Sequence, residues 1–484
     1  MLFNSFDFIV FFTAVLFLYY IVPKKVQWQF ILAASILFYM YERPELILLL
    51  FGIIAINYFA SMLIYNAKSN RYKKRYLTIA VVLDFAILAV FKYLMFISDS
   101  FRWLYELIGL EYPVKSFSIV LPMGISFYTF QAAGYLIDIY RGDYKPERSF
   151  LRFATFMSFF PQIIAGPIER GNLMLPQLFT PKKPEADNIS MGLKIMLWGY
   201  FKKVVIADRL NVLVNTVYGS PTEYEGLALL TATLMFAVQI YCDFSGYSDL
   251  ARGCAKTMGI ELINNFDRPY FATSIRDFWR RWHISLSTWF RDYLYIPLGG
   301  NRVGMCRQWL NYMITFMVSG LWHGASWSYV AWGALHGFYQ IIGNIKIKLF
   351  GKPEKNRFFL FNLVSLVITF VLVTFAWIFF KANNISDGIY IASHLFTNIG
   401  KITDMQYLYE VVNSLGLNLF ELELMAIAVI FLVICEIISF KYEINELMCK
   451  LPFVLRFGFY YVTAVMILGM GVFSSGGAFI YLQF

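Results

Sequence analysis

Charge is scarce in this sequence. Only 15% of its 484 residues are Asp, Glu, Lys or Arg, while 59% are hydrophobic and 19% aromatic. A soluble protein carries about 25% charged residues, and a soluble core of this size needs far more polar surface to cover it. That excludes a soluble globular protein. Cysteine is also sparse. Cys242, Cys254, Cys306, Cys435 and Cys449 form no C-x-x-C and stand at no zinc-ligand spacing from histidine, so neither a disulfide framework nor a metal site is expected. No P-loop, G-x-S-x-G elbow or H-E-x-x-H occurs, and no histidine is followed by the H-x-x-x-x-D of glycerolipid acyltransferases. The paired halves with matching broken helices of a simple transporter are missing too. There is no low-complexity tract, obvious repeat or long polar linker, so a single domain over 1–484 is expected.

What is present is apolar sequence almost end to end. About 20 apolar residues span the hydrocarbon core, and stretches suited to spans fall at 6–22, 28–41, 44–65, 77–97, 117–139, 151–166, 191–207, 226–242, 310–321, 326–345, 358–380, 422–440 and 455–473. The expected fold is all-α: a polytopic integral membrane protein with interfacial or re-entrant helices. The opening MLFNSFDFIVFF has no basic leader and no small-residue cleavage site before Lys24, and reads as the first span. Pro161, Gly166 and Pro167 break 151–166, and Pro122 and Gly124 interrupt 117–139. Broken backbone at membrane depth is tolerated only where protein or a water-filled cavity satisfies it. An interior, not a bundle of anchors, is implied.

The net charge of +10 comes mainly from short basic blocks between apolar stretches. Such blocks are retained on the cytoplasmic side, which explains the surplus better than nucleic-acid binding. Lys24 and Lys25 follow the first stretch, and Arg71, Lys73, Lys74 and Arg75 the third. Both loops are cytoplasmic if the N-terminus lies outside, with Glu42 and Arg43 in an external turn.

The chemistry concentrates where the hydrophobicity lapses. Residues 243–307 are too polar for spans yet dense in Trp, Tyr and Arg, as interfacial segments are. Only four histidines exist: His283, His323, His336 and His394. An ionisable group near the bilayer is functional by default. His323 sits in SGLWHGASW, where Gly320, Gly324 and Ala325 leave room for a ligand or another backbone. A helix over 273–288 would align Arg276, Trp279, Arg280 and His283 on one face, with Asp277 and Arg281 paired beside it. Guanidinium forks suit phosphate; equally, such arginines serve as interfacial anchors, with His283 in a packing contact. Asp243 and Asp249 flank FSGYS, and Glu169 with Arg170 follows the AGP turn; paired structural charges explain these equally well. His336 and His394 read as structural.

Four blocks are familiar: FWRRWHISLSTWFRDYLYIPLGGNR, SGLWHGASWSYVAWGALHG, QIYCDFSGYSDLARG and PMGISFYTFQAAGYLIDIYRG. They resemble the membrane-bound O-acyltransferase family, most of all its bacterial branch that includes the alginate O-acetyltransferase membrane subunit. SFFPQIIAGPIER, FAWIFFKAN and the closing FIYLQF are similar to that branch as well. The likeness runs from the first residues to Phe484. Cys242 stands where aromatic residues are usual.

The resemblance implies a many-helix protein whose cytoplasmic and extracellular funnels meet near mid-membrane. The family's catalytic histidine falls on His323 and its second recurrent histidine on His283. It implies an acyl group, acetyl above all, taken from a cytoplasmic thioester and moved towards hydroxyls of an exported polysaccharide or cell-wall glycan in the cell's inner or plasma membrane. The donor is acetyl-CoA or another acyl thioester, on CoA or a carrier protein, with no bound cofactor. A secreted SGNH-type partner often completes such transfers. On this reading His323 is the general base and His283 orients, polarises or relays the proton. Arg276, Arg280, Arg281 and Trp279 hold the donor, and Arg291 and Arg302 are the next donor-site candidates. Asp243 and Asp249 give polar support. D-alanyl transfer to teichoic acid, protein or lipid acylation, and a non-catalytic export conduit are the alternatives.

Overall fold

The structure is a computed structural model that describes all residues except 116, 118, 352–358, 441–446, 449 and 474–484. Cys449 and the closing FIYLQF therefore lie outside the described residues. Every regular element among the described residues is a helix. Five helical runs are long and apolar enough to cross a membrane: Pro44–Asn66, Asn70–Leu107, Leu227–Thr257, Phe359–Lys381 and Phe453–Met470. The protein is an all-α polytopic membrane protein.

The chain forms two compact units, Met1–Ser190 with Cys254–Ile263, and Met191–Gly253 with Asn264–Phe484. One domain over 1–484 remains a reading of the sequence. The first unit holds α1 (Phe6–Ile21), α2 (Gln27–Met40), α3 (Ile47–Asn66), α4 (Asn70–Leu88), α5 (Leu94–Leu107), α6 (Ile125–Arg141), α7 (Phe150–Ser158), α8 (Phe160–Ile163) and α9 (Gly171–Phe179). Helices α3, α4 and α6 pack together, and α2 packs on α7. Inside this group the Asn57 amide donates to the buried Asp84 carboxylate at 2.9 Å, which offsets part of the cost of burying both. A π turn, Ala89–Tyr93, joins α4 to α5, making the expected 77–97 span part of a longer run. The break expected in 151–166 is real: Pro161 opens α8 where its missing N–H costs nothing.

Helix α10 (Ala186–Tyr200) leads into the second unit and continues as a π-helical segment, Phe201–Ala207. It is followed by α11 (Asp208–Gly219), α12 (Leu227–Thr257), α13 (Ile275–Arg281), α14 (Ile284–Phe290), α15 (Met305–His323) and α16 (Trp327–Phe350). The chain then forms α17 (Phe359–Lys381), α18 (Ile385–His394), α19 (Met405–Ser414), α20 (Leu419–Ile438) and α21 (Phe453–Met470). Within the second unit α10 and α12 touch backbone to backbone. A Cβ on Gly199 would stand 2.8 Å from the Gly246 carbonyl oxygen, and one on Gly253 2.7 Å from that of Gly192. Small residues at such a crossing let membrane helices approach closely. Helices α15 and α16 form a hairpin sealed the same way, with Gly333 against the Phe316 carbonyl.

Two sequence expectations need correction here. The polar stretch was expected to begin at 243, yet α12 runs on to Thr257. Its carboxylates do not end the helix because buried lysines neutralise them. Nor is 273–288 one helix. It breaks at Trp282–His283, where His283 takes a left-handed backbone conformation (φ 43, ψ 55) and starts α14. His283 therefore does not share a helix face with Arg276, Trp279 and Arg280.

Candidate active site

The kink that displaces His283 is held by backbone pairing. Asp267 N–H donates to the Arg281 carbonyl at 3.0 Å, and Ile284 N–H to the Asn265 carbonyl at 3.0 Å. The Asn265 side chain accepts from Ser285 N–H at 3.1 Å, and the His283 carbonyl accepts from Ser287 N–H at 2.9 Å. A left-handed conformation is uncommon outside glycine, although histidine tolerates it better than most residues. It survives where the surroundings over-determine it, and such places cluster at functional sites.

The kink turns the imidazole inward. His283 is fully buried, its ring edge-on to Phe244 at a 4.5 Å centroid separation. It lies between short helices, outside the candidate spans, and burial pushes its pKa down to about 3, so the ring is neutral. His323 ends α15 and is 3% exposed. Trp322, Trp332 and Phe380 surround it at centroid distances of 5.0, 5.1 and 5.2 Å. The two imidazole centroids are 6.4 Å apart. Residues forty positions apart in sequence thus meet in one buried aromatic chamber.

A cavity of roughly 450 Å³ lies near this pair, with neighbours of the two histidines, but neither histidine itself, in its lining. Ile284, next to His283, forms part of its wall, as does Ser319, one helical turn before His323 on the same face of α15. Arg276, Arg280 and Arg291 line it and no carboxylate does. Arg291 is bonded to Asp292 at 2.7 Å, whereas Arg276 and Arg280 have no carboxylate partner among the described residues. Trp279 supplies an aromatic wall. Arg281 is not in the lining; its Nε stands 3.1 Å from the Asp277 carboxylate in an ion pair, the pairing expected from their spacing. Arg302 is also not in the lining.

Ile284 also lines a second cavity of roughly 450 Å³, with Lys202, Asp249, Arg252, Tyr241 and Glu436 among its walls. Lys202 pairs with Asp249 at 2.6 Å, and Asp249 also meets Arg252 at 3.3 Å. Deeper, the Lys203 ammonium bridges Asp208 at 2.7 Å and Asp243 at 2.6 Å. Asp243 and Asp249 thus both stand in ion pairs. Sequence reading missed Lys202 and Lys203 because they look like one more basic block at a span end. It also missed Asn265, whose importance depends on a chain crossing that no local pattern encodes. His336 donates nothing to the chamber directly but accepts a hydrogen bond from Trp279 at 3.2 Å. His394 caps its own helix end, stacked on Tyr390 at 4.1 Å. Glu169, in the first unit, accepts from Ile263 N–H at 2.6 Å, and burial raises its carboxyl to about 7. Among the described residues no group of His, Cys, Asp and Glu is placed to hold a metal ion.

Known proteins share this sequence. The model of the membrane-bound O-acyltransferase family matches residues 147–385, which include both histidines. The chain is 40% identical to the probable alginate O-acetylase of Pseudomonas aeruginosa over 387 residues, 80% of this chain and 73% of that protein. It is 35% identical to the peptidoglycan O-acetyltransferase of Helicobacter pylori over 382 residues, 74% of this chain and 71% of that one. Over 248 residues it is 32% identical to the teichoic acid D-alanyltransferase of Streptococcus thermophilus, covering 49% of this chain and 60% of the other. The protein is a membrane-embedded acyltransferase. It belongs to the membrane-bound O-acyltransferase family.

Proposed function

We propose that this enzyme moves an acetyl group from a thioester, acetyl-CoA or an acyl carrier protein, towards hydroxyls of an exported polysaccharide or cell-wall glycan. The observation that carries the reading is the juxtaposition of a buried histidine pair with a cavity lined by arginines and no carboxylate. Guanidiniums without carboxylates suit a phosphate-bearing donor. The mixed charges and aromatic groups of the second cavity suit a neutral, hydroxyl-rich acceptor. The relatives named for alginate and peptidoglycan O-acetylation support a glycan acceptor over a protein or lipid one.

In this scheme His323 takes the proton of the acceptor hydroxyl as its oxygen attacks the thioester carbonyl. The carbon–sulfur bond breaks and the thiolate leaves, recovering a proton as thiol. His283, neutral at physiological pH, orients the hydroxyl or passes the proton on. The acceptor hydroxyl belongs to the glycan itself or to a secreted SGNH-type partner that finishes the transfer. The basic residues Arg71, Lys73, Lys74 and Arg75, in the first turns of α4, lie on the cytoplasmic side and the N-terminus outside, which makes that side the donor side; reporter fusions beside them giving an external signal would reverse the assignment. The test of function is His323→Ala in a deletion background. Acylated glycan is expected to disappear while the variant inserts and accumulates normally; near-normal acyl content would refute the role. The D-alanyltransferase relative keeps one second reading open: a D-alanyl ester on the acceptor in place of acetyl, distinguished by mass spectrometry of the released acyl group.

A further inference from the structure

The third buried histidine has a place in the donor cavity's wall, one layer behind it. His336 is fully buried on α16, in a cage of aromatic rings. Phe278 and Phe316 lie nearly parallel to it at 6.3 and 6.1 Å, and Trp332 stands edge-on at 5.0 Å. Such a cage favours an apolar side chain, and a buried polar ring is costly unless bonded. The ring makes one hydrogen bond, at Nδ1, while Nε2 has no hydrogen-bond partner among the described residues. The Trp279 indole N–H donates to His336 Nδ1 at 3.2 Å. An indole can only donate, so Nδ1 accepts and the neutral ring keeps its proton on Nε2. Trp279 lines the arginine cavity between Arg276 and Arg280, one turn or less from each. Without that bond the indole's two χ angles are held by packing on Phe278, Phe316 and Trp332 alone, and the wall beside the two guanidiniums is less firmly fixed.

We infer that His336 is a positioning residue for the acyl donor: through its hydrogen bond to Trp279 it fixes the aromatic wall against which the donor lies. The inference rests on the reading of this cavity as the donor site. His336 touches neither substrate nor the reacting atoms, so its removal changes donor affinity more than the chemical step. A purely structural histidine would instead lower the amount of folded enzyme and leave the kinetics of what remains unchanged.

The test is steady-state acyl transfer by purified full-length enzyme with acetyl-CoA varied, together with direct binding of acetyl-CoA by calorimetry. His336→Phe fills the cage but removes the acceptor; His336→Asn returns an acceptor oxygen near the position of Nδ1. The expected result is a rise of about threefold to tenfold in donor KM for His336→Phe, the size that one neutral hydrogen bond supports. Little change in kcat and a KM close to wild type for His336→Asn complete the expected pattern. Trp279→Phe, which deletes the donor of the same bond, should match His336→Phe, and combining the two should add nothing further. If His336→Phe does not fold, His336→Leu takes its place, since Trp279→Phe also trims the cavity wall itself. Unchanged donor KM in His336→Phe, or in His336→Leu where only that variant folds, overturns the positioning role. Arg280→Lys separates the two ideas. If it weakens donor binding while His336→Phe does not, the positioning role fails and the donor site stands. If neither alters donor binding, the donor site itself is misplaced.

Discussion

The imidazoles of His283 and His323 face one chamber with centroids 6.4 Å apart, too far to hydrogen-bond to each other directly. In the proposed mechanism the pair divides the work unequally, with one ring taking the proton and the other holding the group that loses it. His283→Ala is expected to keep measurable activity, below wild type by roughly 10²-fold, whereas His323→Ala loses the whole general-base contribution of about 10²–10⁴. Single-turnover assays on purified variants check the order; equal losses would mean that the two rings act as one unit.

The left-handed backbone at His283 gives a second prediction. His283→Asn should fold as well as wild type, because asparagine also tolerates that conformation. His283→Val should lose about 1–3 kcal/mol more, since a β-branched residue cannot hold it without strain. Thermal melting in detergent reports the difference. Acid sensitivity shares the cause. Because burial lowers the folded-state pKa to about 3 from an ordinary 6.5, the unfolded chain binds more protons between those values. Stability then falls as pH drops through that window, and His283→Asn should flatten the fall.

The arginine cavity separates neighbours in sequence. Arg280 lines it and Arg281 does not. Arg280→Lys should raise the apparent KM for the acyl donor, and more so with added salt, because exposed electrostatics are screened. Arg281→Lys should leave donor KM near wild type, its effect confined to the Asp277 pair. If Arg280→Lys binds donor as well as wild type at both low and high salt, the arginines are anchors at the membrane surface.

Lys203 is 2% exposed and neutralises two buried carboxylates. Lys203→Met should remove the cation that bridges Asp208 and Asp243 and cost roughly 3–5 kcal/mol, seen as loss of folded protein in a detergent melt. Lys202→Met should cost less, because Asp249 keeps Arg252. Restoring Lys203→Met with Asp243→Asn in the same chain checks that charge, not packing, is responsible.

Much of this was legible beforehand, and the exceptions share a cause. The apolar spans follow from composition, and the i, i+4 pair of Asp277 and Arg281 follows from helix geometry. His323 and His283 stood out because histidine is rare and the blocks around them resemble a known family. Helix α12 was read as ending at 242 because Asp243 and Asp249 look expensive; the lysines that cancel them lie about forty residues away. The helix over 273–288 looked continuous because the bonds that bend it at His283 come from Asn265 and Asp267, on a different segment. Local pattern predicts local structure. Here the departures from it are made by partners distant in sequence, and they fall at the site.

One side chain, Ile284, is a wall of both cavities. A thioester is stable in water only on a timescale of its own, and an enzyme that handles one must keep it from hydrolysing before an acceptor arrives. Among the two linings Ile284 is the shared residue. On the proposed assignment of the two cavities, its branched, apolar bulk would keep activated acyl groups apart from polar molecules. A smaller side chain there would let donor be spent without product, so coupling would depend on the volume of a residue that performs no chemistry.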